Sequence, residues 1–256
     1  MRQATIHSID LNADLGEHDG DGYEGDEKLL AVVSSASIAC GGHAGSLEVM
    51  EETARRASDH GVAVGAHPSY PDREGFGRRE TAMRLPDIAM SVKQQLETLL
   101  DRAAKAGAPV RYLKPHGALY NRAMKDDELA GMLVQVVAAT DPALVLLALP
   151  DSALARAAAA AGLRVAREAF IDRAYSRDGS LVPRSIEGAI ITDVEHASER
   201  ALTMAREGTV ETIDGTTLTF RPDSMCVHSD SVNALALVKA VRTGLTRAGF
   251  SITSFA

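Results

Sequence analysis

Residues 111–149 read RYLKPHGALYNRAMKDDELAGMLVQVVAATDPALVLLAL. A short strand candidate, Arg111–Lys114, opens the stretch, and an apolar run, Leu144–Leu149, closes it. Between them the spacing predicts a helix over Asp126–Ala139, opened by an aspartate that can accept from free backbone N–H groups. A strand, a helix and a strand, the second strand apolar throughout, form the unit of a parallel sheet covered on both faces, joined by a right-handed crossover. The same alternation continues outward. Strands are predicted at Ile6–Asn12, Ser37–Cys40 and Val62–Ala66 on one side, and at Arg164–Phe170 and Ser224–His228 on the other. Helices are predicted over Ser46–His60, Pro86–Ala106, Asp151–Ala161, Asp193–Glu207 and Asn233–Ala248, several of them stopping at a glycine. A hairpin over Thr209–Arg221, turning at Asp214-Gly215, interrupts the last unit. Seven strands in this pattern predict an α/β chain folded as a closed seven-stranded β/α (TIM-like) barrel, a single domain over residues 1–256. A doubly wound open sheet is the other architecture these units can build.

The composition narrows the function. The chain has 256 residues, 45% of them hydrophobic, with Lys+Arg 27 against Asp+Glu 35 and a net charge of −8. That balance argues against a nucleic-acid partner, which needs a basic surface, and against a polybasic membrane anchor. No apolar run reaches the length of a membrane span. Two cysteines, Cys40 and Cys226, read as reduced buried thiols, and a cytoplasmic location is expected. A small-molecule or protein partner remains.

Polar residues collect just after the predicted strands. Asp10, Asn12, Asp14 and Glu17 follow the first; His43 follows the second; His67, Tyr70, Arg78 and Arg79 follow the third; Lys114 and His116 follow the fourth; Arg173 follows the sixth; His228 and Asp230 follow the last. In a parallel barrel these points share one rim, where such folds place their sites. A single histidine beside Gly or Pro is as readily structural, but His43, His67, His116 and His228 on one rim point to chemistry. His7, His18, His60 and His196 read as solvent-facing or helix-end residues. Asp10 reads as a cap. Lys114 reads as an oxyanion stabiliser or as one half of a rim salt bridge, and Arg78 or Arg79 as a carboxylate clamp. There is no P-loop, dinucleotide fingerprint, nucleophile elbow or H-E-x-x-H pattern. A divalent metal held from separate loops by Asp14, His43, His67 and His116 stays open.

The stretches DLNADLGE (10–17), SASIACGGHAG (35–45), GAHPSYPDREGFGRR (65–79), KPHGALYN (114–121) and EAFIDRAY (168–175) resemble the LamB/YcsF family over about residues 8–247. The resemblance implies a barrel of the glycoside hydrolase/deacetylase type. It implies the A-component role in ATP-dependent opening of 5-oxo-L-proline to L-glutamate, with allophanate-hydrolase-like subunits B and C as partners. Activation by ATP is placed with those partners. On that reading Asp14 or a nearby histidine is the general base, and Lys114 and His116 stabilise an oxyanion or departing phosphate. His43, His67 and Asp230 are candidate acids for the ring nitrogen. Asn12, Glu17, Tyr70, Arg78, Arg173 and His228 are candidate substrate contacts, with Arg78 on the carboxylate. Gly42 stands where the family commonly has Phe, Ser46-Leu47 replace a frequent Asp-Pro, and VHSDSVNA (227–234) replaces a VHGDTPGA-like run. The alternatives are a metal-dependent amide hydrolase or deacetylase working without ATP, and a non-catalytic subunit that delivers ligand.

Overall fold

A computed structural model of the chain describes residues 7–229 and 233–256. In chain order the elements are β1 (Ser8–Leu15), α1 (Tyr23–Leu30), β2 (Ser35–Ala39), α2 (Leu47–Asp59), β3 (Ala63–His67), α3 (Leu85–Lys105), β4 (Val110–Leu113), α4 (Gly117–Ala123) and α5 (Asp127–Thr140). They continue with β5 (Val145–Ala148), α6 (Ala153–Ala160), β6 (Val165–Phe170), α7 (Val194–Glu207), β7 (Thr209–Glu211), β8 (Thr217–Thr219), β9 (Ser224–Val227), α8 (Ala234–Arg247) and β10 (Ser251–Ile252). Strands β1 to β6 and then β9 pair side by side, all parallel, and β9 pairs back onto β1, so seven strands close on themselves. The open-sheet alternative is thereby excluded. The short β10 adds to the start of β1, and β7 and β8 form the expected antiparallel hairpin.

Local chemistry explains the helix ends. Ser46 caps α2 by accepting from Val49 N, Asp126 caps α5 from Glu128 N and Leu129 N, and Asp193 caps α7 from His196 N. Helix α7 stops where Gly208 takes φ +68, a conformation that costs other residues more. The cap of α6 is Ser152 rather than Asp151. Helices α1 and α4, and strand β10, have no counterpart in the sequence pattern.

Strand β1 shows how the barrel divides its two faces. Ile9, Leu11, Ala13 and Leu15 belong to the apolar layer between sheet and helices. Asp10, Asn12 and Asp14 alternate with them and point inward, as the period of two requires. At the bottom of the barrel Tyr112, Val145, Leu147 and Ala166 form a separate apolar plug, against which Phe255 packs. Gly65 on β3 leaves room for the Tyr112 ring, which any Cβ there would strike. Above this plug the interior is polar. Among the described residues no helix is long and apolar enough to cross a membrane.

Candidate active site

The polar column starts at Asp10. It is fully buried and accepts from Ser34 and Ser35 hydroxyls at 2.6 and 2.7 Å and from Ser224, so it is a strut inside the barrel rather than a cap. Burial pushes its carboxyl up to about 6 against these three hydrogen bonds. One layer up, Asn12 donates to Ser224 Oγ (2.7 Å) and Glu168 Oε1 (3.4 Å). Lys114 lies above, 2% exposed, with Nζ 2.7 Å from Asp14 Oδ1 and 3.0 Å from Glu168 Oε1. Tyr120 donates to the other Glu168 oxygen at 2.8 Å. Burial alone would lower the Lys114 pKa, but Asp14, Cys226 and Glu168 outweigh it and hold the ammonium well above its ordinary value. Burial would raise Asp14, but His67 and Lys114 reverse that and keep it well below the usual carboxylate range.

The histidines sit on top of this column. His67 Nδ1 donates to Lys114 O at 2.8 Å, and His116 Nε2 donates to Phe76 O at 2.9 Å. These carbonyl partners assign the ring protons, so His67 Nε2 and His116 Nδ1 face each other at 2.9 Å as two lone pairs. A cation between them, a proton or a metal ion, relieves the repulsion. Asp14 Oδ2 lies 3.3 Å from His67 Nε2, and Glu17 Oε1 lies 3.4 Å from His116 Nδ1. One donor atom each from Asp14, Glu17, His67 and His116 lies within 4.8 Å of all the others. Two imidazoles and two carboxylates suit a divalent transition ion. His43 stands outside this set. Its ring stacks on His116 at 3.7 Å, and its Nε2 meets Glu17 Oε1 at 3.1 Å. Burial lowers the pKa of both His43 and His116, the latter further through the neighbouring His43 and His67. Gly77, at φ +66, admits both side chains, since a Cβ there would lie 2.9 Å from the His116 ring at Cδ2 and 2.9 Å from His43 Cβ.

Of these groups Asp14, His67, Lys114 and His116 form the floor of a cavity of about 650 Å³. Of the residues singled out by sequence, Asp14, His67, Arg78, Lys114, His116, Arg173 and His228 line it. His228 Nδ1 is held 3.0 Å from both Asp172 oxygens, and its ring stacks on Phe170. Three expected substrate contacts, Asn12, Glu17 and Tyr70, do not line the cavity, nor does the expected catalytic His43; Glu17 is taken up by His43 and Ser229 instead. Asn12 is fully buried, its amide committed to Glu168 and Ser224, and Tyr70 is packed into the core at 1% exposure. Asp230 lies outside the described residues. Arg79 is held at the surface by Asp72 and Glu74. His18, expected to face solvent, instead bonds Asp26 at 3.2 Å with its side chain 10% exposed, and Asp26 also accepts from Gly16 N. This pair fixes the loop that carries Glu17.

Sequence reasoning gave no role to Glu168, Tyr120 or Asp172. The available signal was an acid at an inward position of an apolar strand, in VAREAF. The loop departures also find their places. Gly42 leaves room for Gln95, which bonds Ser69 N and O at 3.0 and 2.8 Å. Ser229 donates to Glu17 Oε2 at 3.2 Å.

A profile of the LamB/YcsF family matches residues 9–256. The A subunit of 5-oxoprolinase from Heliobacterium modesticaldum is 45% identical over 245 residues, covering 95% of this chain and 96% of that protein. The crystal structure of a lactam utilization protein from Thermus thermophilus superimposes with a TM-score of 0.90 at 45% identity, covering 97% of this chain and all of that one. A family 4 carbohydrate esterase from Streptomyces lividans shares the fold alone, with TM-score 0.53 and 12% identity over 99% of this chain and 95% of that one.

Proposed function

We propose, on the premise that this chain belongs to the LamB/YcsF family, that it is the A-type component of an ATP-dependent 5-oxoprolinase and performs the hydrolytic ring opening. A lactam amide is resonance-stabilised, so activation must precede attack. We assign ATP binding and phosphorylation of the lactam oxygen to B- and C-type partners, as the resemblance to the family implies. The substrate delivered here is then a five-membered ring whose carbon bears an O-phosphoryl group and a double bond to nitrogen.

The observation that carries the reading is the facing pair of ring nitrogens, His67 Nε2 and His116 Nδ1, beside Asp14 and Glu17 at the cavity floor. A proton removed from water comes to rest between these nitrogens as the water oxygen bonds to the ring carbon. The electron pair of the C=N bond moves to nitrogen, which takes up the proton held between His67 and His116. The new hydroxyl then gives up its proton and closes to a carbonyl as the remaining C–N bond breaks; that proton goes to nitrogen, freeing the amine and leaving an acyl phosphate. A second water converts this to L-glutamate and phosphate. Lys114, committed to Asp14 and Glu168, keeps Asp14 ionised and in place.

The test is glutamate release from 5-oxo-L-proline and ATP by this chain alone, by its partners alone and by the mixture. Turnover only in the mixture supports the reading. Turnover by the partners alone shows that this chain contributes no catalytic step. The four-donor cluster favours one second reading, a metal-dependent amide hydrolase working without ATP. In that case Asp14, Glu17, His67 and His116 would hold an ion that polarises the amide carbonyl and acidifies a bound water. Stoichiometric metal in the purified chain, with amide hydrolysis in the absence of ATP, would establish it.

A further inference from the structure

Helix α3 buries Ile88, Val92, Gln95, Leu96, Leu99 and Ala103, so Gln95 is the one polar side chain on an otherwise apolar face. A buried amide costs free energy unless it is hydrogen-bonded. Most of its bonds go to one residue. Gln95 Oε1 accepts from Ser69 N at 3.0 Å, and Nε2 donates to Ser69 O at 2.8 Å and to Ser91 Oγ at 3.1 Å. These partners fix which end of the amide is oxygen. The segment it grips is short of other anchors. Residues 67–71 read HPSYP, and the two prolines have no N–H to give. Ser69 thus carries the first backbone donor after His67, and it goes to Gln95. On the inner side, Lys114 N donates to Ala66 O at 2.9 Å, His67 Nδ1 to Lys114 O at 2.8 Å and His116 N to Pro68 O at 2.8 Å. The backbone behind the two facing rings is therefore laced to the end of β4 from inside and to α3 from outside. Ser69 also packs where the floor is tightest, since a Cβ on Gly77 would lie 3.3 Å from Ser69 Cβ and 2.9 Å from the His116 ring. Gly42 completes the arrangement. A Cβ there would lie 2.5 Å from Ser69 Oγ and 2.6 Å from Gln95 Oε1, so the clamp fits only while residue 42 has no side chain.

We infer that Gln95 is a positioning residue for the facing nitrogens His67 Nε2 and His116 Nδ1, acting through Ser69 and dependent on Gly42. Two lone pairs 2.9 Å apart repel, so the backbone must hold the rings at that spacing until a cation arrives between them. A side-chain amide bonded to both the N–H and the C=O of one residue stops that residue from turning as well as from shifting. Displacing a reacting group by about 1 Å can cost about 10²-fold in rate. The effect on turnover rests on the ring-opening reading above; the effect on the ring geometry stands without it.

The experiment pairs long-range proton–nitrogen NMR spectra of the imidazole rings in the full chain with turnover in the mixture with B- and C-type partners. The wild type should show opposite tautomers, His67 protonated on Nδ1 and His116 on Nε2. Q95M keeps the length of the side chain and removes its bonds. In it the His67 signals should average between the two tautomers, and kcat should fall about 10²-fold with KM unchanged. G42A displaces the amide by contact alone and should act in the same way, which keeps the test open if Q95M does not fold. I88A, from the buried face of the same helix, should lower Tm while leaving tautomers and kcat as in the wild type. Wild-type tautomers or wild-type kcat in Q95M and G42A, or the same losses in I88A, overturns the proposal. If the mixture shows no turnover at all, the ring-opening reading fails and the spectra alone decide the role of Gln95.

Discussion

Removing the ammonium at the centre of the barrel, Lys114→Met, perturbs the whole polar column. Its Nζ lies 2.7 Å from Asp14 and 3.0 Å from Glu168, with all three side chains at most 4% exposed. Each contact carries about 6 kcal/mol of gross attraction at an effective dielectric near 20. Most of this is offset by the desolvation of three charges, but the methionine variant keeps the cost of the carboxylates and loses the cation. Breaking such a buried pair costs about 3–5 kcal/mol, or a fall in Tm of roughly 10 °C at this chain length. The decisive assay is a double-mutant cycle in urea with K114M, E168Q and the double variant. E168Q alone loses charge-assisted bonds from Lys114 and Tyr120, about 2 kcal/mol. Since the neutral amide at 168 removes one stranded charge, the double variant should be more stable than the sum of the single losses by at least about 1 kcal/mol. Additivity within about 0.5 kcal/mol would refute the claim that the three charges form one coupled unit.

Other consequences are open to simpler measurements. The Asp10 carboxyl, pushed up from 3.8 to about 6, keeps its proton in the folded chain at pH values where the unfolded chain has lost it. Its contribution to stability is therefore present below pH 4 and is lost as pH rises through 6. Between pH 5 and pH 7.5 the wild type should lose about 1.5 kcal/mol more than D10N in urea unfolding. Gly77→Ala adds a Cβ at positive φ against the His116 ring and the His43 Cβ, and should cost about 1–3 kcal/mol in thermal unfolding, read against the wild type. Asp14→Asn, assayed with the B- and C-type partners, should reduce kcat by about 10²–10⁴; near-wild-type kcat would remove this carboxylate from the reaction.

The sheet was legible because its strands announce themselves. LVLLAL between two helix patterns has little choice but to be a buried parallel strand. Helix α1, YEGDEKLL, was not legible, since Gly25 and a single leucine pair give it almost no periodic face. Helix α4 is seven residues long and begins directly at a glycine of a chemistry-bearing motif. At the site, the rim histidines could be found because strand ends in a parallel barrel share one side. Depth along the strand could not. Asn12 and Asp14 are two residues apart and face the same way, yet one is sealed beneath Lys114 and the other meets the cavity. Tyr70 follows its strand as His67 does, but its ring turns into the helical layer. His18 had no sequence signal for its bond to Asp26, because the partner arrives from a helix that was itself unseen.

The ring of strands is closed late in the chain. Asp10 stands in register with Ser224 and accepts its hydroxyl across 214 positions of sequence. Until β9 docks, six strands make an open sheet with bare β1 and β6 edges and a wet polar interior. Pairings this distant are slow to form, because a long loop must close before any contact rewards it. During that interval each bare edge is a template for another chain. The finished barrel carries no such template between β1 and β6, whereas the half-made one carries two, so crowding during refolding should govern its yield more than the stability of the product does.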